Sequence, residues 1–191
     1  MARPSVSVQI FASALKLFHE KGFNASSVQD ITEDAGMQKG SLYNHYGSKE
    51  DLAAKVIDHY GRLSERHSLL ADESVAPLDR LDRYFQALNK MVTASAFARG
   101  CLLGNFSAEL PSQSLLIREH LSAIYSSWMS AIEKAVTGGQ ADGSITRELP
   151  ARQLATALLG AREGAALRAK VGRDHNALSA FMSVILRRTL A

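Results

Sequence analysis

Residues 26 to 52 read SSVQDITEDAGMQKGSLYNHYGSKEDL, and the fold can be argued outward from their punctuation. Ser27 with Asp30 three residues on makes a capping-box pattern, so a helix begins there. Val28, Ile31 and Ala35 give that helix an apolar side, and Gly36 is placed for a left-handed stop. A second short helix is predicted from about Gln38 to Tyr46, with Leu42 and Tyr46 inward. Gly47 ends it, and Ser48 with Asp51 opens the next. Upstream, Ile10, Ala14, Leu17 and Phe18 recur at helical spacing through residues 6 to 21, and Gly22 closes that run. Short helices at tight turns around Ile10, Leu17, Phe18, Val28, Ile31, Leu42 and Tyr46 describe a helix-turn-helix.

The polar residues of the second helix suit a major groove. Gln38 can reach a base edge such as adenine, and Lys39 a guanine edge or a phosphate. Gly40 lets backbone approach DNA closely, and Ser41 and Asn44 belong to the same candidate set. Tyr43 offers a hydroxyl to phosphate and a ring to the sugar, while His45 is a candidate phosphate neighbour. Lys49 is placed for the DNA backbone, as is the helix start at Ser27, where amides favour an anion. Taken singly, each residue also has an ordinary reading: solvated lysine, surface histidine, half-buried tyrosine, turn glycine. Only the set on one short helix favours double-stranded DNA.

Charge does not announce such a partner. The 191-residue chain carries a formal +3, but residues 1 to 60 hold six lysines and arginines against seven acids. Nonspecific DNA binding is therefore expected to be modest and its salt dependence shallow. A 46% hydrophobic composition supports a true core. The single cysteine, Cys101, excludes an intrachain disulfide and a multi-thiolate metal site within one chain. The six histidines show no zinc spacing and no phosphate-cradling glycine loop occurs, so no metal or cofactor is expected. No apolar run approaches the roughly 20 residues a bilayer requires, and the start lacks signal-peptide character. The expectation is a cytoplasmic protein with no membrane partner.

The rest also reads as helix, so the fold class is all-α. A DNA-binding domain over residues 1–50 is expected to be joined by a connector helix, 48–70, to a ligand-binding and dimerisation domain over 51–191. Helices are predicted over 78–95, 102–110, 113–136, 151–170 and 175–190, with TGGQADG, residues 137–143, as a loop. A cavity for an apolar or mildly polar small molecule is expected among Phe85, Leu88, Phe97, Cys101, Asn105, Phe106, Leu121, Tyr125 and Trp128. The last two helices, rich in small and apolar residues, supply a candidate homodimer face at Leu158, Ala161, Ala165, Leu178, Phe181 and Ile185. Intrachain core is the plain alternative for both sets.

The stretch from Phe11 to Leu52 resembles the DNA-binding domain of the TetR/AcrR family of bacterial transcriptional regulators. The resemblance implies a recognition helix over 38–44, a phosphate-contacting lysine at Lys49, and a core aromatic at Tyr46, where phenylalanine is commoner. Gln38 replaces a commoner serine or threonine. It further implies a homodimeric repressor that leaves a palindromic operator when a small molecule binds. Residues 99 to 110, RGCLLGNFSAEL, resemble the matching stretch of an electrophile-sensing branch, which would make Cys101 a reactive thiol. Readings from other classes are an enzyme using Cys101 and His120 with Asn105 or Glu109, and an all-helical interaction adaptor.

Overall fold

A computed structural model describes residues 5–62 and 65–191. The described residues are helical throughout, with no strand. In chain order they form α1 (Val6–Lys21), α2 (Val28–Asp34), α3 (Gly40–Tyr43), α4 (Lys49–Arg62), α5 (Glu65–Ala71), α6 (Pro77–Ala94), α7 (Leu102–Glu109), α8 (Leu115–Asp142), α9 (Ala151–Gly172) and α10 (Asn176–Ala180). From α10 the chain continues through a π-helical segment, Phe181–Leu186, into α11 (Arg187–Leu190). Residues 63 and 64 of the expected connector lie outside the described residues.

Two compact units result. The first combines residues 5–62 with Leu102–Ile124, and the second combines 65–101 with Tyr125–Ala191.

The first unit is built on the apolar side of α1. Ile10, Ala14 and Phe18 are fully buried, and Ile31, Leu42, Leu52 and Val56 close over them from α2, α3 and α4. Phe18 meets Phe23 at 5.5 Å and Phe106 of α7 at 5.6 Å between ring centroids. Phe106 therefore belongs to the core under the helix-turn-helix. At the other end of α4, the missing side chain of Gly61 admits Ile124, whose Cδ1 lies 2.6 Å from where a Cβ would stand.

In the second unit Leu81, Tyr84, Phe85 and Leu88 of α6 are buried, as are Trp128, Ile132, Leu154, Leu158 and Phe181, and α6 packs against α9 and the π-helical segment. The Phe85 and Phe181 rings meet edge to face at 4.9 Å. Arg162, 2% exposed, is accommodated because Nη2 donates to the Leu88 carbonyl at 2.9 Å and Nη1 pairs with Glu163 at 2.9 Å.

The expected loop at 137–143 is instead the last part of α8. Gly138 and Gly139 lower helix propensity, but packing outweighs it: Gly139 lies against Ile145, and any Cβ there would overlap that side chain. Gln140 Nε2 then donates to the carbonyls of Thr146 and Leu149 at 2.8 Å each, tying the helix to the following turn. The helix expected over residues 38–46 is also shorter than predicted. Only Gly40–Tyr43 is α-helical, with flanking turn bonds from Ser41 N to Gln38 O and from Tyr46 N to Leu42 O.

Gly61→Val should overfill the α4–α8 contact. The expected outcome is a loss of about 1–3 kcal/mol, measured by urea unfolding, with helical content retained by circular dichroism.

Candidate nucleic-acid interface

The turn chemistry of the opening stretch recurs atom by atom. Ser27 Oγ accepts from the Asp30 amide at 3.0 Å, and the Ser27 amide donates to Asp30 Oδ2 at 2.8 Å. These bonds hold the Asp30 carboxyl below its ordinary range, the Ser27 hydroxyl contributing most. They also occupy Ser27's own donor groups. At the start of α4, Ser48 Oγ accepts from the Asp51 amide at 3.0 Å and donates to its carboxylate at 2.9 Å.

Between these two caps, alternate burial turns one side of the segment outward. Leu42 is fully buried and Tyr46 8% exposed, whereas Gln38, Lys39, Gly40, Tyr43, Asn44 and His45 are exposed and Ser41 partly so. Among the described residues, beyond its chain neighbours and its own helix backbone, nothing lies within 4 Å of a Cβ added at Gly40. The chain's own packing thus gives no reason for glycine there.

Tyr46 explains its departure from phenylalanine. Its ring fills the core and its hydroxyl donates to the Ser7 carbonyl at 3.0 Å, fastening the segment after α3 to α1. Burial pushes the phenol above its ordinary value.

Lys49 is more committed than a phosphate ligand needs to be. Its ammonium donates to the carbonyls of Phe23 and Ser26, at 3.1 Å each, and sits 3.9 Å from the centre of the Phe23 ring. Two of its three donors are engaged by those carbonyls. Burial lowers its pKa, and the nearby charges of Glu109 and Glu50 oppose that shift.

The expected ligand set divides between the two units. Asn105, Phe106 and Leu121 are buried in the first, and Phe106 packs on Phe18 and Phe23 as described. Phe85, Leu88, Phe97, Cys101, Tyr125 and Trp128 belong to the second, where Phe85, Leu88 and Trp128 are core and Phe97 stacks edge-on with His175 at 4.8 Å. Open volume in that unit includes a cleft of about 450 Å³ between α6 and the C-terminal helical run. Its lining includes Gln86, Asn89, Lys90, His175, Met182 and Arg187. Asn89 Oδ1 is buried there without a hydrogen-bond partner. No sequence periodicity signals this cleft, because its residues come from the polar margins of both elements.

The expected dimerisation set divides by burial. Leu158, Ala165, Leu178 and Phe181 are buried in the chain's own core, and Ala161 and Ile185 are only partly exposed. The surface of the same helices carries Ala157, Gly160, Gly164, Leu167 and Val171, with Val184 beyond. A Cβ at Gly160 or Gly164 would meet open space.

Two residues of the possible catalytic trio have other partners. His120 Nδ1 pairs with Asp58 at 2.7 Å, and Glu109 accepts from the Asn24 amide at 2.9 Å. Cys101 is 4% exposed. Among the described residues no cluster of three metal-ligating side chains occurs, and no helix is long and apolar enough to cross a membrane.

A buried-core helix-turn-helix with an exposed polar segment around α3, followed by a larger helical unit, is the architecture of helix-turn-helix transcriptional regulators. Residues 10–56 match the model of bacterial regulatory proteins of the tetR family, and residues 77–185 match the tetracyclin repressor-like C-terminal domain. The chain belongs to the TetR family and is a DNA-binding transcriptional regulator. It is 37% identical to the HTH-type transcriptional repressor DhaR of Mycobacterium sp. strain GP1, covering 100% of this chain and 95% of that protein. It is 28% identical to the transcriptional regulator AcuR of Cereibacter sphaeroides, covering 90% and 80%. Among solved structures, a TetR regulatory protein of Rhodobacter sphaeroides superposes with a TM-score of 0.90 at 26% identity, covering 97% and 99%. Reduced E. coli NemR shares the fold, with a TM-score of 0.85 at 23% identity over 98% of each chain.

Tyr46→Phe keeps the ring and deletes the bond to Ser7, an expected loss of about 1 kcal/mol at neutral pH. Because the folded pKa is raised, the wild-type contribution is complete below the ordinary value of 10.0 and disappears as pH rises through the folded value. Urea titrations from pH 8 to 11 should therefore show the gap between the two proteins closing at the alkaline end.

Proposed function

We propose that the protein is a homodimeric repressor that binds a palindromic operator through residues 38–45 and leaves it when a small molecule occupies the second unit. The observation that carries the reading is the exposed polar segment around Gly40, a helix-start glycine for which the chain itself supplies no packing reason. One such helix reads only a few base pairs, so twofold pairing is what gives an operator enough length. The named repressor DhaR, similar along the whole chain, supports the sign of regulation.

Lys39 and Gln38 face the bases or nearby phosphates, and Tyr43, Asn44 and His45 flank them. Ser41, partly buried, serves at the margin of this surface. Ser27 and Lys49 contribute through the turn before α2 and the start of α4, with the third Lys49 donor turned to phosphate. The second copy is received on the face formed by Ala157, Gly160, Gly164, Leu167 and Val171, where small residues permit close helix approach. The effector is received in the second unit, whose α6 cleft has room for a small polar molecule. A thiol-based sensor would need its reagent to reach Cys101, and burial of that residue opposes it.

Gly40→Met tests the operator surface, because methionine is a better helix former with open space around it. The melting temperature should hold or rise while affinity for the protein's own upstream intergenic DNA, followed by fluorescence anisotropy, falls tenfold or more. Unchanged affinity would remove α3 from the DNA. Gly164→Arg should convert dimer to monomer in light scattering after size exclusion, with helical content retained and operator affinity lost. A variant that remains dimeric would move the interface elsewhere.

A further inference from the structure

The turn between α1 and α2 is held by side chains from two distant parts of the chain. Lys49 grips its carbonyls, with Phe23 O and Ser26 O each 3.1 Å from Nζ. Glu109, the last residue of α7, takes its amide: Asn24 N donates to Oε2 at 2.9 Å. The other carboxylate oxygen lies over Gly22, whose φ is +87°, and a Cβ at Gly22 would collide with it. Glycine is thus required twice at that position, by the backbone and by the glutamate.

The helix that delivers Glu109 is itself anchored. Phe106, close to one turn earlier, is fully buried against Phe18 and Phe23, at 5.6 Å and 6.2 Å between centroids. Beyond the helix, Ser114 Oγ donates to Glu50 in the first turn of α4 at 3.0 Å. A carboxylate held at both flanks loses little freedom when it binds the turn, so its charge-assisted bond is worth more than that of a mobile surface side chain. Its charge also opposes the tendency of burial to discharge Lys49 on the other side of the same turn.

We propose that Glu109 is a positioning residue for operator binding: its carboxylate fixes the α1–α2 turn, and through it the entry of α2 and the presentation of α3. It does so without touching DNA. The assignment rests on the operator-binding reading above and adds to it a residue of α7 that lies outside the helix-turn-helix. Two simpler accounts of Glu109 make different forecasts. As a plain negative charge near a DNA surface, its removal would tighten binding. As a purely structural contact, its removal would lower stability and leave the folded protein's affinity intact.

The test uses full-length wild type, Glu109→Ala and Glu109→Gln, measuring operator affinity by anisotropy across a salt series beside thermal melting and amide hydrogen exchange at Asn24. Glu109→Ala should weaken operator binding on the order of tenfold, as expected for losing a hydrogen bond to a charged group. The slope of affinity against salt should stay that of wild type, since no phosphate contact is lost. Exchange at Asn24 should quicken. Glu109→Gln, which keeps a carbonyl acceptor and nearly the same shape, should fall between the two and remains informative if the alanine variant unfolds. Unchanged or tighter operator binding by folded variants, or unaltered exchange at Asn24, would overturn the assignment. Wild type that binds no specific upstream DNA would instead sink the operator reading itself, and this assignment with it.

Discussion

Phe18 is fully buried because rings close on it from two sides, Phe23 just after its own helix and Phe106 from α7. The rest of the DNA-binding unit depends on that cluster. Three helices as short as α1, α2 and α3 cannot enclose a core by themselves, since small units bury too little of their surface. The unit borrows apolar area from α4 through Leu52 and Val56 and from α7 through Phe106. The consequence is that a segment far along the chain becomes part of the platform on which the recognition residues stand.

With the interior supplied from elsewhere, α2 and α3 can spend their remaining side chains on the surface. Leu42 and Tyr46 are inward, and the residues between and before them are left without an intrachain task. Polar groups serve as fasteners at the edges. Tyr46 reaches Ser7, Lys49 reaches Phe23 and Ser26, and Lys16 pairs with Asp34 at 2.6 Å between α1 and the end of α2. The last is an exposed pair and of small energetic weight. The buried backbone contacts of Lys49 are the stronger constraint.

What could be read from the sequence followed the range of the signals. Capping patterns at Ser27 and Ser48 are local, spanning three residues: the box at Ser27 forms in full, and the Ser48 hydroxyl accepts from the Asp51 amide and donates to its carboxylate. The helical periodicity that places Ile10, Phe18 and Leu42 inside is equally local. The error at residues 137–143 arose because glycine propensity is local too, whereas the compensating contact of Gly139 with Ile145 depends on how the chain returns after α8. The inner and outer sides of α9 are not separable in the sequence for a related reason. Leu158 and Ala165 on one side and Gly160 and Gly164 on the other are all small or apolar, so periodicity does not rank them, and only the packed core tells which side is taken. Phe106 read as cavity lining for want of a long-range signal pairing it with Phe18. The same lack hid Glu109, whose partners are backbone groups and so leave no trace in residue types.

The glycines separate these cases physically. At Gly22, Gly61 and Gly139 a side chain would overlap Glu109, Ile124 and Ile145, so the folded chain itself accounts for glycine. At Gly40, Gly160 and Gly164 a Cβ would meet nothing, and none of these helical residues has a left-handed backbone. Glycine in a helix costs about 0.5–1 kcal/mol relative to alanine, and at these three positions no contact within the chain offsets that cost. On the proposed reading, the offset comes from a surface brought close by another molecule. One of the three sits at the start of α3 and two lie on the outer side of α9, the places that the operator and a second copy would occupy. The same physical criterion, applied to a glycine's neighbours and not to its frequency, therefore separates the glycines that packing within this chain requires from those it does not.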